Sequence, residues 1–205
     1  MRRFRFVSVI LLALILSLCA CAPTTPKDPF IYAESPFSLF VEGTYLPAND
    51  IEGTPRLFTA QIKAGEPVNG DPTCRDLTVT FTSPDTLAGL TITASLTPTS
   101  EGSHRSGTVT RVVTFTYPSE YGRIEFAAKA DELDGFLRFA EALLPIGDVA
   151  EVSPKAADGN YTVTRRAGER EAVFTFGEGK DHPVGVRLTD GRGTVELRVA
   201  VETQT

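Results

Sequence analysis

The sequence is poor in the residues that carry most enzyme chemistry. Its 205 residues include no tryptophan, one methionine, two histidines and three cysteines. The histidines, His104 and His182, lie in polar segments flanked by glycine and have no metal-ligand spacing between them. The sequence has neither a Gly-x-Ser-x-Gly motif nor a phosphate-binding glycine loop. We therefore expect no catalytic residues, no metal ion and no cofactor.

Positive charge is also scarce. The chain has 20 Lys and Arg against 26 Asp and Glu, a formal charge of −6. Arg2, Arg3 and Arg5 lie in an N-terminal leader without acidic residues, which leaves 17 basic against 26 acidic residues, or −9, in the remainder. A body this acidic argues against binding to nucleic acid and against electrostatic adhesion to anionic lipid. The hydrophobic share of 41% and the charged share of 22% are ordinary for a globular domain.

The N-terminus has the pattern of a secretory signal peptide. Three arginines precede a run at 7–18 that is apolar except for two serines, and Leu-Cys-Ala-Cys follows at 18–21. This ending resembles the lipobox of bacterial lipoproteins, in which a cysteine after a small residue receives diacylglycerol. The resemblance implies cleavage after Ala20, lipidation of Cys21 and anchoring to the cell membrane on its extracytoplasmic side.

Two alternatives to this anchor fit less well. Lipidation of Cys19 would place the bulky Leu18 at the position before the cysteine. An uncleaved membrane helix would have to use the 17 residues at 6–22, short of the roughly 20 needed to span a bilayer. We predict a signal peptide at 1–20, a lipidated cysteine with a proline-rich tether at 21–34, and one folded domain at 35–205.

Most of the remaining chain alternates between apolar and polar residues with a period of two. Thr, Arg, Lys and Glu occupy the polar positions, which indicates strands with one buried and one solvated face. The pattern predicts about ten strands joined by short Gly, Pro and Asp turns in an antiparallel meander. Asp-Gly-Arg-Gly at 190–193 is the clearest hairpin turn.

One stretch, at 131–145, has the helical period instead. Its apolar positions form a single stripe: Leu133, Phe136, Leu137, Ala140, Leu143 and Leu144. Asp131 is a suitable N-cap and Pro145 a suitable stop. Arg138 and Glu141 fall on the opposite side of the helix, where we expect solvent. Burial of the stripe is worth on the order of 10 kcal/mol, which requires a large apolar surface opposite it.

These elements predict a mostly β, α+β fold in which a curved antiparallel sheet, a half-barrel, wraps around one amphipathic helix. The concave face of the sheet would then form an apolar groove. The residues expected to line that groove are Phe81, Ile92, Phe115, Phe126, Leu133, Phe136, Leu137, Ala140 and Phe174.

The chain also resembles a known family. The segment 77–96, with Phe-Thr-Ser-Pro at 81–84 and Leu-Ala-Gly-Leu-Thr-Ile at 87–92, is similar to a strand–turn–strand unit of the LolA/LolB-like lipoprotein-carrier superfamily. The order of strands, one helix and further strands is similar too, as is His-Pro-Val at 182–184 before two closing strands. The resemblance covers about residues 35–202. It implies a half-barrel that encloses a cavity for acyl chains.

Two functions follow as hypotheses. The first is a lipid-anchored, non-enzymatic protein that binds acyl chains of a lipid or a lipoprotein. The second is a domain of the same shape with a filled core, which binds a protein partner or supports assembly of the cell envelope or spore. A small enzyme is a distant third. Once Cys19 has left with the leader and Cys21 is lipidated, Cys74 has no thiol to pair with, so we expect it to be incidental rather than redox-active.

Overall fold

Eleven antiparallel strands form one continuous sheet in a computed structural model, which describes residues 28–48, 53–95, 113–119, 122–128 and 138–200. The strands are β1 (Phe37–Pro47), β2 (Arg56–Ala64), β3 (Asp76–Ser83), β4 (Thr91–Ser95), β5 (Val113–Ser119), β6 (Gly122–Ala128), β7 (Asp148–Val152), β8 (Tyr161–Ala167), β9 (Arg170–Phe176), β10 (Pro183–Asp190) and β11 (Gly193–Ala200).

The order across the sheet is β6-β5-β4-β3-β2-β1-β11-β10-β9-β8-β7. Each strand therefore pairs with its neighbour in sequence, and the first and last strands, β1 and β11, pair in the middle. The end strands β6 and β7 do not pair with each other within the described residues, so the sheet is open. The predicted curved antiparallel sheet is confirmed.

Burial follows the predicted alternation. On β2 the buried residues are Phe58, Ala60, Ile62 and Ala64. The neighbouring β3 and the more distant β9 bury every second residue in the same way. The register carries this face from strand to strand, since Ala60 lies opposite Phe81 and Ile62 opposite Val79. One face of the sheet therefore supplies a continuous core.

Strand β7 was not among the predicted strands. All five of its residues are exposed, including Val149 at 52% and Val152 at 59%. It pairs with β8 at one border of the sheet, with an irregularity between Val149 and Glu151. A strand exposed on both faces has no reason to alternate, so the period-two pattern on which the prediction depended is missing.

The segment before β1 packs onto the same core. Residues Ile31–Glu34 form a 3₁₀ turn, and the ring of Phe30 meets those of Phe174 and Phe176 edge-on at 4.9 and 5.5 Å. Ala33 is fully buried, and its carbonyl oxygen accepts a hydrogen bond from the guanidinium of Arg75. Phe30 and Ala33, which fall within the predicted tether at 21–34, are thus packed against the core.

The predicted helix at 131–145 ends earlier than expected. Residues 138–141 are helical, and 131–137 lie outside the described residues. Ala142 still donates its N–H to the carbonyl four residues back, whereas the N–H groups of Leu143 and Leu144 bond to carbonyls three residues back. This tightening to a 3₁₀-like turn comes just before Pro145, which has no N–H to continue the helix. No helical segment in the described part of the chain is long and apolar enough to cross a membrane.

The prediction that Arg138 and Glu141 face solvent is wrong. Their exposed fractions are 0% and 4%, and Phe139 and Ala142, also outside the predicted stripe, are buried as well. Arg138 forms a 2.7 Å ion pair with Asp190, and Glu141 pairs with Arg170 at 3.6 Å. A helix can bury charged side chains on any of its faces when each of them has a partner of opposite charge. The periodicity of the helical segment alone contains no information about those partners, which come from the strands of the sheet.

Candidate functional site

An apolar pocket of about 390 Å³ lies on the core face of the sheet, between the helical residues 138–141 and the strands β1, β2 and β3. Its volume falls within the roughly 300–1,000 Å³ of typical small-molecule sites. The residues that line it are Tyr45, Arg56, Leu57, Phe58, Phe81, Pro84, Thr86, Leu87 and Phe139. It is therefore large enough for an extended apolar ligand.

Three phenylalanines form the inner wall. The ring of Phe139 lies 4.1 Å from that of Phe58 and 6.1 Å from that of Phe81, measured between centroids. Phe58 and Phe81 meet edge-on at 5.9 Å. Phe58 follows the inward parity of β2, and Phe81 that of β3. Such edge-on and tilted contacts fix the ring positions and give the wall a definite shape.

Gly43 makes room for this wall. It lies opposite Phe58 in the register of β1 and β2. A Cβ atom at position 43 would approach Cζ of Phe58 to 2.2 Å and Cδ2 of Leu197 to 2.9 Å. The absence of a side chain on β1 thus allows the Phe58 ring to lie flat across the neighbouring strand.

The loop between β3 and β4 forms one side of the mouth. Pro84, Thr86 and Leu87 come from it, and it is tied down by backbone hydrogen bonds. The N–H of Leu87 donates to the Pro84 carbonyl at 2.8 Å, and that of Gly89 to the Phe81 carbonyl at 2.8 Å. Leu57, at 74% exposure the most exposed large apolar residue described, completes the rim. Leu57 thus extends the apolar surface of the pocket to solvent.

The rest of the concave face is not uniformly apolar. Nη2 of Arg138 bonds to Oδ1 of Asp190 and, at 3.0 Å, to the carbonyl of Gly193. Nη2 of Arg170 donates to the Glu141 carbonyl at 2.8 Å. Burial lowers the pKa of Arg170, opposed by the charge of Glu141. These ion pairs hold the helix end to β9, β10 and β11.

Tyr45 contacts both the charged region and the wall of the pocket. The guanidinium carbon of Arg138 lies 5.6 Å from the centre of the Tyr45 ring, and that ring also meets Phe139 edge-on at 5.8 Å. The tyrosine ring therefore contacts both the charged cluster and the apolar wall.

The predicted groove residues have different positions in the fold. Phe81 lines the pocket, whereas Ile92, Ala140 and Phe174 are fully buried in the core and are not among its lining residues. Leu133, Phe136, Leu137 and the side chains of Phe115 and Phe126 lie outside the described residues, as does Cys21; the backbones of Phe115 and Phe126 pair across β5 and β6.

Sequence reasoning missed most of the wall. Phe139 was not predicted to line the groove because it lies off the helical stripe. Phe58, Tyr45 and Leu87 were not predicted because no local pattern shows where the sheet and the helix leave space between them. The alternation of β1 and β2 already placed Tyr45 and Phe58 on the core face. That parity, together with the glycine at 43, is the signal that was available.

The remaining reactive groups are dispersed. Cys74 is a buried free thiol, and burial raises its pKa. Neighbouring Arg75, fully buried, bonds to the carbonyls of Ala33 and Ser35 and so holds the N-terminal segment in place. His182 is 3.0 Å from the carbonyl oxygen of Pro183. Among the described residues, no group of three His, Cys, Asp or Glu is placed to hold a metal ion.

Comparison with known proteins gives distant structural similarity only. No family model matches the chain, and no curated protein matches its sequence. Three solved structures that are similar in fold come from different bacteria. An uncharacterized conserved protein from Thermus thermophilus is 13% identical, with 84% of this chain and 81% of that chain covered and a TM-score of 0.40. An outer membrane lipoprotein-sorting protein domain from Vibrio parahaemolyticus is 11% identical, with 83% and 87% of the two chains covered and a TM-score of 0.41. A DUF1329 family protein from Desulfovibrio piger is 8% identical, with 87% and 92% of the two chains covered and a TM-score of 0.45. The second of these is a lipoprotein-sorting domain, and at these identities the similarity concerns the fold alone.

Proposed function

We propose that this chain is a membrane-anchored, extracytoplasmic lipoprotein whose domain binds the acyl chain of a lipid or lipoprotein, without catalysis. The observation that supports this proposal is the pocket between Phe139 and strands β1 to β3, with its aromatic wall and its exposed apolar rim. Acyl chains gain about 0.8 kcal/mol for each methylene removed from water, so a pocket of this character favours them over polar ligands.

The shape of the site supports a carrier or binding protein rather than a filled structural domain. Phe139 closes the inner end of the pocket, while Leu57, Pro84 and Thr86 are exposed at its mouth. The mouth therefore gives access from solvent, and backbone hydrogen bonds hold the β3–β4 loop beside it. A preformed site of this kind avoids most of the ordering cost of binding.

Native mass spectrometry of the protein, freed from the membrane by Cys21→Ala and purified without detergent from a lipid-containing host, tests this proposal. We expect a fraction of the protein to carry additional mass equal to one lipid or fatty acid, and we expect that mass to disappear in Leu87→Glu, which places a charge inside the pocket.

Val152→Glu is the matched control. It makes the same kind of change at an exposed apolar residue on β7, far along the sheet from β1 to β3, and should retain the bound mass. A clean unliganded mass for the protein with Cys21→Ala alone, together with no binding of added fatty acid, would favour the alternative of a domain that acts through its surface on a protein partner or in envelope or spore assembly.

A further inference from the structure

Arg56 is the only charged residue among those that line the pocket. It begins β2 and shares the parity of Phe58, so it belongs to the face of the sheet that carries the pocket. In the register it lies directly opposite Tyr45, another lining residue, and it is exposed to solvent. A cation therefore stands at the solvent end of an otherwise apolar site.

The positive charge of Arg56 is opposite in sign to the net charge of the molecule. The body of the chain carries a formal charge of −9, and the β3–β4 loop itself contains the exposed Asp85 between the lining residues Pro84 and Thr86. Asp85 is not one of the residues that line the pocket. The acidic side chain of the loop thus lies outside the site, and the basic side chain of β2 contributes to it.

The two ends of the pocket differ in chemistry. Phe139, Phe58 and Phe81 are buried and form its inner end, while the exposed lining residues at its mouth include apolar side chains and the basic side chain of Arg56. An acyl chain entering tail first would place its terminal group beside that basic side chain. Arginine has five N–H donors and binds carboxylate and phosphate oxygens with matching geometry.

We propose that the ligand of this pocket is an acyl chain that ends in a negatively charged group, a carboxylate or a phosphate ester, and that Arg56 binds this group. The inference rests on the proposed function, since it assumes that an acyl chain occupies the pocket. It adds a polarity to the site, with the tail at Phe139 and the anion at β2. The anion can come from a free fatty acid or from the headgroup of a single-chain lipid.

The test compares ligands of equal chain length. The full chain carrying Cys21→Ala, so that no lipid of its own competes, is loaded with the neutral fluorophore N-phenyl-1-naphthylamine. The fluorophore is then displaced by palmitate or by hexadecanol at pH 8, where the carboxylate is ionised. We expect palmitate to bind about tenfold more tightly than hexadecanol, which corresponds to about 1.4 kcal/mol. The preference should shrink at high salt because screening weakens the ion pair.

Two variants assign the preference to a residue. In Arg56→Gln the ratio of the affinities for palmitate and hexadecanol should fall to about one, because the ligand's anion loses its partner. Lys63→Gln removes an exposed positive charge from the other end of the same strand and should keep the preference. A preference that survives in Arg56→Gln would overturn the inference.

The failure of the inference can be distinguished from failure of the proposed function. Equal affinity for palmitate and hexadecanol would refute the anionic ligand and leave acyl-chain binding intact. Absence of binding by both would refute acyl-chain binding itself.

A second pair of ligands identifies the source of the charge. Palmitoyl-lysophosphatidylglycerol is anionic and palmitoyl-lysophosphatidylcholine is zwitterionic. A preference within this pair that exceeds the one for palmitate over hexadecanol would point to a lipid headgroup. The reverse would point to a free fatty acid, and no preference within either pair would contradict the proposal.

Discussion

An ion pair on the concave face of the sheet is almost completely buried. Arg138 has 0% side-chain exposure and Asp190 has 9%, and they meet at 2.7 Å, whereas Arg187 and Glu196 on the outer face form a 3.4 Å pair at 63% and 57% exposure. Two ion pairs of the same type therefore differ mainly in their access to water. Exposed pairs contribute little to stability, but removing one partner of a buried pair leaves an uncompensated charge.

We predict that Arg138→Met lowers the free energy of unfolding by about 2 kcal/mol, below the roughly 3–5 kcal/mol of a buried pair that loses its only partner. The buried Asp190 loses its 2.7 Å partner but keeps the more exposed Arg192, at 3.3 Å. The matched variant Arg187→Met should change it by less than about 0.5 kcal/mol, since both members of that pair are solvated. Urea titration followed by circular dichroism measures both. Equal small changes would mean that water reaches Asp190 in solution.

The second prediction at this scale concerns Cys74. Its thiol is buried, and desolvation raises its pKa, so the reactive thiolate is less populated at a given pH than in an exposed cysteine. We expect alkylation by iodoacetamide at pH 8 to be much slower in the folded protein than in urea. We also expect Cys74→Ser to leave ligand binding unchanged. Fast labelling of the folded protein, or loss of binding in the variant, would revive a functional role for the thiol.

At the scale of secondary-structure elements, the pairing of β1 with β2 decides the shape of the pocket. Phe58 reaches over Gly43 and is held on its other side by Phe139 at 4.1 Å. A side chain at position 43 would therefore force the Phe58 ring to shift within the pocket wall. The width of the pocket is thus set by a glycine on one strand and an aromatic residue on the next.

We predict that Gly43→Ala lowers the free energy of unfolding by about 1–3 kcal/mol, the usual range for an overpacked core. It should also weaken binding of an apolar fluorophore, because the displaced Phe58 ring moves within the pocket wall. Gly185→Ala, also in a strand, is the control: its nearest new contact would be 3.5 Å, an ordinary van der Waals distance. If Gly43→Ala matched this control in both measurements, the Phe58 ring would have to be mobile.

At the scale of the whole molecule, the N-terminal segment packs at one end of the strands and the pocket lies at the other end. Phe30 packs against Phe176, which pairs with Pro183 at the start of β10. Tyr45 and Phe58 of the pocket instead lie toward the end of β1 and the start of β2. The two sites belong to opposite ends of the strands. Attachment to a membrane through the N-terminus would therefore leave the pocket mouth unobstructed.

We predict that Cys21→Ala releases the protein from the membrane fraction and that Cys19→Ala does not. Two acyl chains on one cysteine give durable attachment and the acidic domain adds no electrostatic attraction, so the loss should be nearly complete. Fractionation and immunoblotting of cells that express each variant measure it. Persistent membrane association of Cys21→Ala would favour an uncleaved N-terminal helix.

Much of the architecture was determined by the sequence alone. Period-two alternation predicted the strands because one face of an antiparallel sheet must exclude water and the other must not. Asp190 and Gly193 predicted the hairpin between β10 and β11, and the structure gives a reason for the glycine: a Cβ atom there would lie 2.2 Å from the Leu46 carbonyl oxygen. Such features depend on neighbouring residues, so they are readable in a single chain.

Tertiary structure decided the features that depend on residues far apart in sequence. Arg138 finds Asp190 more than fifty positions away, and Arg75 finds the carbonyl of Ala33. No local pattern indicates that these charges are buried, because their burial is stabilised only by those partners. The pocket has the same origin: apolar strand faces look alike in sequence whether they touch each other or leave a gap, and only the packing of Phe139 against Phe58 and Phe81 separates the filled core from the open site.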